Sequence, residues 1–114
     1  MIELKHNGQT FEVPDDRVWG LIEAIEKVIT LYELGQAYNA GHIPVARVYR
    51  AYAEALKYAG ARRTTGDDVR KDLGAGTPYS VAGELLVILA IALPPSIGGE
   101  SEEAEVSEDA KKKD

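Results

Sequence analysis

Cysteine is absent from the 114 residues, which excludes a disulfide framework and any thiolate metal site. Histidine is scarce as well. His6 and His42 stand far apart, and neither belongs to a Glu-x-x-His or His-x-x-x-His pair, so metal-ligand spacing is missing. Both histidines are expected to be solvated loop residues. Serine occurs at Ser80, Ser96, Ser101 and Ser107 only, never within Gly-x-Ser-x-Gly, so no nucleophile is indicated. The most apolar stretch, Leu85 to Leu93, is about half the roughly 20 residues that a membrane span needs. The N-terminal Met1-Ile2-Glu3-Leu4-Lys5-His6 has no basic region leading into an apolar run, so no secretion signal is expected. These absences predict a soluble cytoplasmic protein with no cofactor, no metal, no membrane partner and no enzymatic activity.

Positive charge is also in short supply, and unevenly so. The net charge is −6, of which residues 96–114 carry −4 through seven acids and three lysines. The remainder holds ten basic and twelve acidic residues, too balanced to attract a polyanion, which argues against a nucleic-acid partner. Beyond Pro94 and Pro95 almost nothing is apolar, so ordering that segment has little burial to offset its entropy cost. The chain therefore divides into a domain over residues 1–95 and an acidic tail over residues 96–114, expected to be disordered. With 45% hydrophobic residues overall, the domain has enough for one modest core.

What is present reads as a mainly α fold, a short N-terminal β-hairpin followed by about four helices. Ile2 to Val13 forms the hairpin around Asn7-Gly8, the dipeptide favoured by a type I′ turn. A pair of strands is marginal alone, so the hairpin must lie on something. Pro14-Asp15-Asp16 opens a helix whose apolar stripe runs Val18, Leu21, Ile22, Ile25, Val28, Ile29, Tyr32. That helix is predicted to continue to about Ala40, with Gly41 as its C′ residue. Pro44 starts the second, with Val45, Val48, Tyr52, Ala55, Leu56 and Ala59 on one face, ended by Gly60. A short helix spans Asp67 to Leu73, stopped by Gly74. Thr77-Pro78 caps the last, which ends before Pro94. From Leu85 to Leu93 this last helix is apolar all round, so it is central in the core or covered by a partner.

Several motifs have structural readings. Gly74-Ala75-Gly76-Thr77 lacks the preceding strand and Gly-Lys ending of a phosphate loop, and a helix stop followed by an N-cap accounts for it. Asp15-Asp16 and Asp67-Asp68 lie where helix N-termini attract acids. Arg62-Arg63 is a basic loop pair suited to an acidic partner or to plain solvation. More pointed are Trp19, Leu31, Leu34 and Tyr38, which fall off the stripe of the first helix, and Tyr58, off that of the second. Either other elements cover them or they form a partner or self-association surface, for which Trp and Tyr are favoured anchors.

The order is distinctive: a hairpin with central Asn-Gly, a long helix, Asn39-Ala40-Gly41-His42-Ile43-Pro44 opening an amphipathic helix, Gly60, a helix led by Asp67-Asp68-Val69, and an aliphatic helix ending Ala92-Leu93-Pro94-Pro95. Over about residues 2–95 it resembles the tail assembly chaperones of long-tailed phages, particularly those related to gene transfer agents. The resemblance implies binding to the tape-measure protein, recruitment of tail-tube protein, and departure before the virion is complete. It also implies a longer form made by a −1 ribosomal frameshift. Lys111-Lys112-Lys113 fits an A-rich slippery site with the tail as tether, and fits a solubilising tail equally. The competing reading is a helix-turn-helix regulator over Gly60 to Thr77, whose recognition helix would present Asp67 and Asp68 to phosphates.

Overall fold

The hairpin turns where Asn7-Gly8 places it, with φ of 50° and 80° at the two residues. In the computed structural model, which describes residues 1–72, 74 and 76–94, β1 (Ile2–His6) and β2 (Gln9–Val13) pair antiparallel. Ile2 faces Val13 and Leu4 faces Phe11. Side chains alternate across a strand, so one face carries Leu4, His6 and Val13, all buried, flanked by half-buried Ile2 and Phe11. That face lies on α3 (Val45–Ala59), where the Tyr52 hydroxyl accepts from the Lys5 amide at 3.2 Å. Burial pushes the Tyr52 phenol up to about 12.

A 3-10 turn over Asp15–Arg17 leads into α1 (Val18–Glu26), and α2 follows at Leu31–Ala40. The predicted continuous helix is thus two helices. α1 stops at Glu26, and Thr30 starts α2 by forming a capping box. Its hydroxyl accepts from the Glu33 amide at 3.1 Å, while the Glu33 carboxylate accepts from the Thr30 amide at 3.1 Å. The break shifts the helical phase. Tyr32, expected on the core stripe, is 74% exposed, and Leu34, expected off it, is fully buried.

Gly41 terminates α2 with φ of 77°, a left-handed conformation in which glycine carries no Cβ penalty. The central element is α3, packed against α1, both strands, α4 (Gly66–Lys71) and α5 (Pro78–Ala90). Its expected face holds, widened by Tyr49, Ala51 and Ala53, while Val45 is largely exposed. The α4 backbone approaches α3 so closely that a Cβ on Gly66 would stand 3.2 Å from the Arg50 amide nitrogen. α4 ends at Lys71, short of the predicted Leu73, which lies outside the described residues. Thr77 caps α5 by accepting from the Ser80 amide at 3.2 Å, with Pro78 at the first helical position. The architecture is mainly α with an N-terminal hairpin, and the described residues form five helices where about four were expected. The acidic tail lies outside the described residues.

Candidate partner-binding surface

From Leu85 onward α5 is apolar all round because both its inward and its outward stripes are aliphatic there. Val81, Ala82, Leu85, Ile88 and Leu89 enter the core. Ser80, Glu84, Val87, Ala90 and Ile91 recur on the opposite side at helical spacing and are exposed. That outward stripe is polar at its start and aliphatic at its end. Val87 is 70% exposed, and Ile91 and Leu93 are each 51% exposed. α5 is therefore not the core's central helix, as one expectation had it, and no described residue covers its outer stripe. Full burial of one such side chain is worth roughly 1.5–3 kcal/mol. Clustered exposure of this kind marks an interaction surface more often than scattered exposure does.

One hollow borders the stripe and another lies past the end of α5. The first, of about 340 Å³, lies between β1 and α5 and is lined by Met1, Ile2, Glu3, Leu4, Gly83, Glu84, Val87 and Ile88. The other, of about 600 Å³, is formed by α2 residues including Leu31 and Tyr32, together with Leu93 beyond the end of α5. Tyr38 on α2 meets Tyr79 on α5 edge to face, with ring centroids 5.4 Å apart. The walls of the first hollow carry Glu3 and Glu84, and neither takes part in an ion pair among the described residues.

The residues singled out from sequence do not share one patch. Leu34 is in the core, because the break at Thr30 turns it inward, so it cannot contribute to a surface. Leu31 and Tyr38 do belong to the α2–α5 side, with Leu31 half-buried and Tyr38 38% exposed. Trp19 is 63% exposed on α1. Tyr58 has an internal task. Its hydroxyl donates to the Arg17 carbonyl at 2.9 Å, and the Arg17 guanidinium sits 4.7 Å above its ring. Arg62 and Arg63 are exposed and line a separate hollow at the hairpin tip with His6, Asn7, Phe11 and Asp68. Missed individually were Tyr32, Tyr79, Val87, Ile91 and Leu93. For Val87, Ile91 and Leu93 the signal was the charge-free run from Leu85 to Leu93, which fixes no phase of burial.

Several other titratable residues have structural work. His6 is not a solvated loop residue but is buried on the hairpin's inner face, its Nδ1 3.5 Å from the Asp72 carboxylate, while His42 is exposed as expected. Asp72 accepts from the Asn7 amide at 3.1 Å and the Gly74 amide at 3.0 Å. The Asn7 amide above all holds its carboxyl below the usual range, with Gly74 and His6 adding to the effect. Asp68 completes a capping box with Thr65, whose backbone amide lowers its pKa. Hydrogen bonds from Arg70 and then Lys71 lower that of Asp67. Among the described residues no group of three His, Asp or Glu side chains is placed to hold a metal ion. Nor is any described helix long and apolar enough to cross a membrane. No protein-family model, curated protein or solved structure matches this chain.

Proposed function

We propose that the protein is a non-enzymatic tail assembly chaperone of a long-tailed phage. It binds the tape-measure protein in the host cytoplasm, shields its apolar stretches, promotes assembly of tail-tube protein around it, and is left out of the finished virion. One observation carries the reading beyond the resemblance: a small helical domain keeps an aliphatic stripe, Val87 and Ile91, with Leu93 just past the end of α5, uncovered by its own described residues. A chaperone for a long helical client needs such a face, since it must offer apolar contacts before the client's final partners arrive. In this reading the acidic segment after Pro95 tethers a second domain in a frameshifted longer form.

Two measurements test the proposal. The nucleotides around codons 110–114 should contain a slippery heptamer with an open −1 frame, followed by a tape-measure-sized gene. Co-expression with the product of that gene should move it from the pellet to a soluble complex. A neighbour that is soluble alone and forms no complex would sink the proposal. A salt-sensitive shift of duplex DNA by this protein would instead favour the helix-turn-helix regulator.

A further inference from the structure

We infer that the groove between β1 and the outward stripe of α5 takes one amphipathic helix of another protein, aliphatic on its buried face and rich in lysine or arginine along its flanks. The helical nature of the occupant rests on the chaperone reading above; its location and charge rest on the surface itself. The groove is apolar along Met1, Ile2, Leu4, Val87 and Ile88, and Ile91 extends the same α5 stripe by a further turn. At about 340 Å³ it has room for a few aliphatic side chains. A helix laid along it would supply them from positions spaced three or four residues apart.

Charge selects among possible occupants. Glu3 and Glu84 line the groove without a cation of their own among the described residues, and the Met1 ammonium is already taken by Asp15. Residues 96–114, outside the described residues, carry a net −4. A second copy of this chain would bring the same acidic surface to a self-complementary interface, like charge against like. The chain's own acidic tail meets the same objection. A helix with cationic flanks neutralises Glu3 and Glu84 while its aliphatic face covers Val87 and Ile91, and electrostatic attraction speeds its encounter.

The test uses the full chain and a fluorescein-labelled 18-residue amphipathic peptide of leucine and lysine, with a leucine–glutamate peptide of the same pattern as control. Fluorescence anisotropy should show the lysine peptide binding at least about tenfold tighter than the glutamate peptide. Val87→Ser combined with Ile91→Ser should weaken it about tenfold, in line with loss of central apolar anchors. Trp19→Ser should leave it unchanged. Glu3→Gln with Glu84→Gln should weaken it about threefold at low salt and less at 0.15 M. On the unmutated protein, amide shifts on adding peptide should centre on residues 1–4 and 83–91. Shifts centred elsewhere, equal binding of both peptides, or undiminished binding by the Val87/Ile91 variant would overturn the assignment. So would a dimer, seen by light scattering, that the same variant dissolves. Peptide binding without a tape-measure complex would leave the groove standing and remove only the phage reading.

Discussion

Arg47 reaches from α3 to the carbonyl oxygen of Val28, donating from Nε at 3.3 Å and Nη2 at 2.9 Å, at the break where α1 gives way to α2. The same Nη2 donates to Glu33 at 3.0 Å, so one guanidinium serves both a carbonyl released by the helix end and the acid of the next helix's capping box. The Thr30 amide, then Arg47, hold the Glu33 carboxyl below its usual range.

Arg47→Ala should therefore loosen the α1–α2 junction and cost about 1–2 kcal/mol. Arg47→Lys should recover only part of this, because an ammonium lacks the planar fork that reaches both acceptors. Thr30→Ala should cost about 1 kcal/mol through the lost cap. Urea midpoints for the three variants and a double-mutant cycle check this; independent effects of Arg47 and Thr30 would count against a shared junction.

Two glycines should respond in opposite directions to alanine. Gly35 lies within α2, where an added Cβ would have nothing within 4 Å, so Gly35→Ala should stabilise by about 0.5–1 kcal/mol. At Gly66 a Cβ meets the Arg50 backbone at 3.2 and 3.3 Å, and a helix backbone cannot step aside as a side chain can. Gly66→Ala should destabilise by about 1–3 kcal/mol, and thermal melts of both variants read the contrast.

Acid should weaken the joint between the hairpin tip and the end of α4. The folded pKa of Asp72 lies below its ordinary 3.8. Its contribution is thus fully present above 3.8 and is lost as pH falls through the lower folded value. Asp72→Asn should be less stable than the unmutated protein at pH 7, and the gap should narrow as pH falls below 3.8 and through the lower folded value. A gap independent of pH would show that the carboxylate's charge is irrelevant to this joint.

Tyr52 should ionise only at strongly alkaline pH. With its hydroxyl buried against β1, the phenol is pushed up to about 12. Ultraviolet titration of phenolate should show one late step near that pH, and Tyr52→Phe should remove it. Retention of the late step in Tyr52→Phe would assign it to another tyrosine.

How much was legible from sequence varied with the range of the forces involved. Asn7-Gly8 specified the hairpin because positive φ at both residues is a local demand. Thr77-Pro78, Gly41 and Gly60 marked helix ends for the same reason. The Thr30-to-Glu33 capping box was equally local, yet the unbroken apolar period through Ile29 masked it, and the burial of Tyr32 and Leu34 was exchanged in consequence. His6 beside a turn had every local sign of solvation. Its burial arises because α3 packs on the hairpin's inner face and Asp72, just past α4, sits against its ring, contacts between residues distant in the chain.

The same division governs the candidate surface. Local composition determined that α5 would be a capped aliphatic helix, and that it would need covering, because the run from Leu85 to Leu93 holds no charge. It did not determine which stripe is covered, since a uniformly apolar helix has no preferred inward side. Packing decided that. α3 and α2 take Val81, Leu85, Ile88 and Leu89 as their share of the core, and Val87 and Ile91 are left facing out beside Glu3 and Glu84, because one helix can turn only one face to a core this small.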